Sequence, residues 1–111
     1  MPLSPVIKGK RPVLYPAIDL ELARRIVLDR LVNFAAKVYL FGSQARGQAG
    51  RISDIDIAVL PLEPIPGWIF SEIREALEES NILYPVELVD LSETDERFRK
   101  RVFEEGIVWK E

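Results

Sequence analysis

Two short apolar segments separated by a small, polar connection constrain the fold of this chain more than any other feature. Residues 38–41 are β-branched and aromatic and end at Gly42, a pattern typical of a buried strand that stops at a turn. In the second segment Asp54 and Asp56 alternate with isoleucines. Because side chains alternate along a strand, both carboxylates are predicted to project from one face. Adjacent carboxylates repel unless a cation lies between them, and Mg²⁺ prefers such oxygen ligands.

The spacing of these polar residues resembles the signature of a known family. The motif consists of Gly42 and Ser43, a gap of ten residues, and Asp54-x-Asp56. It resembles the motif of DNA polymerase beta superfamily nucleotidyltransferases, specifically the small minimal nucleotidyltransferases. Such a match at four fixed positions arises by chance in roughly one chain in a thousand. The alternative is an ordinary strand connection in which glycine supplies backbone freedom and the aspartates are solvated.

The resemblance implies both a fold and a set of site residues. The fold is α/β, with a small mixed sheet and helices packed on it. Asp54 and Asp56 would hold two magnesium ions about 4 Å apart. Gly42 would let the backbone approach the nucleotide, and Ser43 with the following N–H groups would bind the β- and γ-phosphates of ATP. Arg46 is a candidate for neutralising phosphate, or else a solvated side chain.

A third metal ligand is expected on a later strand, residues 86–91. By resemblance this ligand is Glu87, where the family usually has an aspartate. Glu87 and Asp90 are predicted to lie on opposite faces, so only one of them can point at the site. Glu87 keeps the charge, but its extra methylene would shift the metal that activates the acceptor. In the alternative, Glu87 is a solvated acid at the strand edge and Asp90 lies near the next turn.

Composition excludes several classes of site. The 111 residues include no cysteine and no histidine, which excludes disulfides, thiolate zinc sites, cysteine nucleophiles and a histidine base. Any metal must therefore be held by oxygen. A net charge of −3 argues against broad, charge-driven nucleic-acid binding. No apolar run approaches a membrane span and no signal peptide opens the chain, so a cytoplasmic location is predicted.

The helices and strands are predicted from periodicity and from breaker residues. We expect an extended, proline-rich arm over 1–16 and one nucleotidyltransferase domain over 17–111. A helix should begin near Asp19, with Asp19 or Glu21 complementing the helix dipole, and a short helix should begin near Ser43 or Gln44. The apolar stripe of the first helix comprises Leu20, Ala23, Val27, Leu31 and Phe34.

The second half of the chain predicts two more helices and a strand. A helix is expected over about 68–80, the strand over 86–91, and a last helix from a capping box, Ser92-x-x-Asp95, to Gly106. The apolar tail 107–109 would pair at a sheet edge or cover the core. Both tryptophans, Trp68 and Trp109, are expected to pack. The basic run Arg97, Arg99, Lys100 and Arg101 is either a solvated face or a partner contact.

The acceptor is inferred only from the resemblance. Minimal nucleotidyltransferases are commonly encoded beside a helical HEPN-family protein, as antitoxin and toxin, and can transfer AMP from ATP to a tyrosine of that ribonuclease. The leading hypothesis is therefore a magnesium-dependent protein adenylyltransferase with a HEPN partner. One alternative is a catalytically weakened antitoxin that acts by contact. Another is nucleotidyl transfer to a small-molecule hydroxyl with an accessory subunit.

Overall fold

A four-stranded mixed sheet with helices on both faces forms the protein, as the sequence predicts. The computed structural model describes residues 14–42 and 54–111, with side chains in the first helix from residue 18 onward. The predicted short helix after Ser43 and residues 1–13 of the predicted arm lie outside these ranges. Among the described helices, none is long and apolar enough to cross a membrane. The elements, in chain order, are α1 (Leu14–Arg30), β1 (Ala36–Phe41), β2 (Ile55–Pro61), α2 (Gly67–Glu78), β3 (Val86–Asp90), a 3₁₀ turn (Leu91–Glu93), α3 (Glu96–Glu105) and β4 (Ile107–Lys110).

The sheet brings the ends of three strands together. Its strand order is β3-β2-β1-β4, with β1 antiparallel to β2 and to β4, and β2 parallel to β3. β1 therefore ends where β2 and β3 begin. The apolar tail forms the edge strand β4, and its Trp109 also packs against the core, so both of its predicted roles are met.

The two faces of the sheet are covered by different helices. α1 and α2 cover one face and bury most of the apolar side chains. α3 covers the other with a smaller cluster. The predicted stripe faces the core, since Ala23, Val27 and Leu31 are fully buried, although Leu31 and Phe34 follow the end of α1. The strand residues in the larger core are Ala36, Val38, Leu40, Ile55, Ile57, Val59 and Leu88, whereas Tyr39, Ala58, Leu91 and Val102 form the smaller one.

The start of α1 differs from the prediction. The helix begins at Leu14 and therefore includes the last residues of the predicted arm. Asp19 lies within the helix and is 6% exposed, and its carboxylate accepts a hydrogen bond of 2.9 Å from the Leu83 N–H. This aspartate fixes the connection that leads into β3 instead of complementing a helix dipole.

The predicted capping box at the start of α3 is also wrong. α3 begins at Glu96, and Asp95 is its N-cap, accepting a 2.8 Å hydrogen bond from the Phe98 N–H. Ser92 lies in the 3₁₀ turn and donates its hydroxyl to Asp90. The helix ends before Gly106, as predicted.

One of the two tryptophan predictions is wrong. Trp109 is partly buried and packs against the core between the sheet and α1 and α2. Trp68, at the start of α2, is 65% exposed. The apolar stripe of α2 consists of Ile69, Phe70, Ile73 and Leu77, so the geometry of the helix leaves Trp68 outside it.

Replacing Gly106 by alanine is expected to destabilise the fold. A Cβ at this position would lie 2.6 Å from the Val102 carbonyl oxygen and 3.1 Å from that of Leu40, and neither backbone atom can move cheaply. We expect a loss of about 1–3 kcal/mol in the free energy of unfolding, measured by urea denaturation. Gly67→Ala is the control, because nothing lies within 4 Å of its added Cβ. Equal losses in the two variants would contradict this account of the junction between α3 and β4.

The position of the α3 cap can be tested by a second pair of variants. Asp95→Ala removes the acceptor of the Phe98 N–H and should lower stability by about 1 kcal/mol. Ser92→Ala should cost less, because Ser92 does not cap the helix. Urea midpoints of the two variants make the comparison, and a larger loss at Ser92 would restore the capping box that the sequence suggests.

Candidate active site

Three carboxylates meet at the end of the sheet where β2 and β3 begin. Asp54 precedes β2, Asp56 lies within it, and Glu87 is the second residue of β3. Each offers a carboxylate oxygen, and these oxygens lie within 4.8 Å of one another. Asp54 and Glu87 are exposed and Asp56 is half-buried. We call these three residues the acidic cluster.

Strand register produces this cluster. The parallel pairing of β2 and β3 places Asp56 directly beside Glu87. Side-chain alternation puts both on the face that α3 covers, while Ile55 and Ile57 are fully buried on the other face, as predicted. The sequence could predict the alternation within each strand, but only the pairing shows that the two strands present their acids at the same level.

Gly42 lies against the acidic cluster at the end of β1. Its φ of +79° belongs to the left-handed region that side chains rarely adopt. A Cβ on Gly42 would overlap the Asp56 carboxylate and lie 3.3 Å from its Cγ. Glycine is therefore required here both by the backbone conformation and by the close approach to Asp56.

The electrostatics of the acidic cluster favour a bound cation. Burial raises the pKa of Asp56 above its ordinary value, and the charges of Asp54 and Glu87 raise it further. A divalent cation would reverse the repulsion among the three groups. The donor set consists of carboxylate oxygens, and the chain offers no imidazole or thiolate, so a hard ion such as Mg²⁺ fits.

Asp90 does not belong to the acidic cluster. Its carboxylate accepts hydrogen bonds from the N–H and the hydroxyl of Ser92, at 2.9 and 2.7 Å, and so caps the 3₁₀ turn. Of the two acids on β3, the structure therefore brings Glu87 to Asp54 and Asp56. The role of Glu87 as a metal ligand stays a prediction. The other predicted nucleotide-binding residues, Ser43 and Arg46, lie outside the described residues.

An aromatic pair beside the acidic cluster was not predicted. Phe41, the cross-strand partner of Asp56, packs edge-on against Phe98 of α3, with ring centroids 5.5 Å apart. The signal for Phe98 was available, because it precedes the buried Val102 by one helical turn. Its contact with β1 depends on how α3 crosses the sheet, which no local pattern specifies.

The basic run on α3 divides into structural and exposed members. Arg99 donates to the carbonyl oxygens of Leu91 (3.1 Å) and Thr94, so it holds the turn before α3. The remaining basic side chains, Arg97, Lys100 and Arg101, are exposed. A partner contact by these three stays a prediction.

Residues 30–111 match the family described as "Polymerase beta, Nucleotidyltransferase". The "Probable protein adenylyltransferase MntA" of Haemophilus influenzae is 34% identical over 93 residues, which cover 84% of this chain and 80% of that protein.

Solved structures also resemble the fold. A toxin–antitoxin crystal structure with AMP-PNP has a TM-score of 0.61 and 29% identity, covering 78% of this chain and 71% of that one. A "putative minimal nucleotidyltransferase" has a TM-score of 0.64 and 31% identity, covering 79% and 90%. Together with the matched family region, these similarities show that the chain belongs to the polymerase beta nucleotidyltransferases, as a minimal nucleotidyltransferase related to MntA.

Proposed function

We propose that this chain is a magnesium-dependent adenylyltransferase that transfers AMP from ATP to a tyrosine of a helical HEPN-family toxin, and so acts as its antitoxin in the cytoplasm. The observation that carries the proposal is the meeting of Asp54, Asp56 and Glu87 within 4.8 Å, beside the left-handed Gly42. The relative named as an adenylyltransferase and the toxin–antitoxin structure with AMP-PNP support it.

The acidic cluster would hold the metal. Asp54, Asp56 and Glu87 are its ligands in this proposal, and magnesium bound there would neutralise the triphosphate and make the acceptor hydroxyl a better nucleophile. The three carboxylates already repel one another in the folded chain before the nucleotide binds. The site is therefore preorganised for positive charge.

The other residues would position the nucleotide. Gly42 leaves the space that a side chain would fill, and the N–H groups that follow it, with the Ser43 hydroxyl, would bind the β- and γ-phosphates. Arg46 would add positive charge. The tyrosine oxygen attacks the α-phosphorus, the bond from that phosphorus to pyrophosphate breaks, and the hydroxyl proton leaves to solvent. Without a histidine, the chain contributes orientation and charge more than proton transfer.

The acceptor can approach from the edge of the sheet. In the described part of the chain Glu87 is exposed on the edge strand β3, so this side of the acidic cluster would be open to a second protein. This opening suits a tyrosine on a protein surface.

The defining experiment is incubation of the purified chain with Mg²⁺ and ATP, with and without the HEPN-family protein of the adjacent gene, followed by intact mass measurement of both. We expect the partner to gain one or more AMP units. The double variant Asp54→Asn, Asp56→Asn should abolish the gain while keeping the complex. A tight complex with no mass change would reject adenylylation in favour of an antitoxin that acts by contact.

Glu87→Gln is expected to lower the rate of AMP transfer by about 100-fold or more, since loss even of a group that only supports a metal ligand typically costs 10–100-fold. Glu87→Asp, which keeps the charge, should retain more activity. Asp90→Asn is the matched control on the same strand, because Asp90 caps the 3₁₀ turn. Transfer rates from quenched time courses make the comparison. Similar rates for Glu87→Gln and Asp90→Asn would remove Glu87 from the site.

Stability should depend on pH through Asp56. Its pKa is raised in the folded state, so between the ordinary aspartate pKa of about 3.9 and the raised value the folded chain binds more protons than the unfolded chain. The contribution of Asp56 to the free energy of unfolding therefore falls as pH rises through this window. Above the window the ionised carboxylate destabilises the folded chain to the full extent. In metal-free buffer at pH 8, Asp56→Asn should be more stable than the parent by up to about 1 kcal/mol.

Thermal unfolding between pH 4 and pH 8, with and without Mg²⁺, measures this effect. Mg²⁺ should raise the Tm of the parent more at pH 8 than at pH 4, because protons compete for the same oxygens. Glu75→Gln, which removes an exposed acid outside the acidic cluster, is the control. A Tm gain for Glu75→Gln as large as that for Asp56→Asn would show that net charge, and not the acidic cluster, is responsible.

A further inference from the structure

The outer face of α2 combines an exposed tryptophan with acidic residues. Spacings of four, three and four residues place four side chains in one stripe along the helix and its last turn: Trp68, Glu72, Glu75 and Glu79. The buried side of α2 faces the core through other residues. Trp68 is 65% exposed, although burying such a side chain is favourable. We call these four residues the α2 stripe.

The charges of the α2 stripe are not neutralised within the described part of the chain. Glu72, Glu75 and Glu79 form no ion pair there, while the salt bridge between Arg24 and Glu21 lies on α1. A face of this kind repels phosphates and anionic lipid headgroups. It attracts a basic protein surface.

A groove runs along α2 beside the α2 stripe. It has a volume of about 540 Å³ and is lined by Trp68, Ser71, Glu72, Arg74, Glu75 and Glu78. The Arg74 guanidinium donates a 3.1 Å hydrogen bond to the Leu88 carbonyl oxygen, which joins α2 to β3. Leu88 itself is buried in the core beneath α1 and α2, whereas its neighbour Glu87 projects from the opposite face of the sheet.

We infer that the α2 stripe docks a basic amphipathic helix of the acceptor protein. This inference rests on the proposed function. It commits to a helix because the spacing of the stripe matches the one-face pattern by which helices pair, and to a basic helix because the three glutamates are unpaired. Trp68 is the anchor, since exposed tryptophans at interfaces carry a large part of binding energy.

The test measures complex formation and AMP transfer separately, with the full chain and the HEPN-family protein of the adjacent gene. The charge-reversal variant Glu72→Lys, Glu75→Lys should raise the Kd of the complex about tenfold or more. Its matched control is Glu93→Lys, Glu104→Lys, which reverses two exposed acids outside the α2 stripe. Trp68→Ala should weaken the complex about tenfold or more, whereas Leu83→Ala, at a side chain that is 77% exposed, should change the Kd less than about threefold.

The outcomes separate docking from chemistry. One outcome is that the α2 variants fail to form the complex while Mg²⁺ still raises their Tm as much as it raises that of the parent. In that case the variants are folded, and what they have lost is docking. A complex that depends on the α2 stripe without AMP transfer supports docking and rejects the proposed function. AMP transfer with an unchanged Kd in both α2 variants overturns docking and leaves the proposed function in place.

Two further results would also overturn the inference. One is the absence of any complex between the chain and the partner. The other is self-association of the chain, by sedimentation, that the α2 variants abolish. In that case the exposed basic residues of α3 in a second copy, Arg97, Lys100 and Arg101, would be the occupant. Such a head-to-tail contact forms either a ring or an open filament.

Discussion

Repulsion among three carboxylates is the constraint around which the structure is arranged. Asp54, Asp56 and Glu87 are held within 4.8 Å by backbone pairing that is independent of their charges. Two buried cores stabilise that pairing, one on each face of the sheet. The hydrophobic free energy of the strands and helices thus offsets an electrostatic cost at one end of the sheet. A cation bound among the three carboxylates would relieve that repulsion.

The surroundings of the acidic cluster explain why Asp56 differs from its neighbours. The backbone of Gly42 lies close to the Asp56 carboxylate. Phe41, the cross-strand partner of Asp56, packs against Phe98. Burial is accordingly the largest cause of the raised pKa of Asp56, ahead of the two nearby charges. Asp54 and Glu87 remain exposed, so the site has one partly desolvated acid and two accessible ones.

β3 contributes to the acidic cluster on one face of the sheet and contacts α2 on the other. Its one face presents Glu87 to the acidic cluster, and its backbone accepts a hydrogen bond from Arg74 on α2. The α2 stripe and the acidic cluster therefore belong to opposite sides of the sheet, so docking and chemistry would use separate surfaces of the chain.

The sequence by itself determined the alternation of the strands, the turn at Gly42 and the oxygen-only chemistry of any metal site, because these follow from local periodicity and residue type. It was misleading at Asp19, Trp68 and Ser92, where long-range contacts or helix geometry outweigh the local pattern. Only the tertiary structure decided that Glu87, and not Asp90, joins the acidic cluster. The reason is physical: strand register, set by the two cores together, places residues of distant segments side by side.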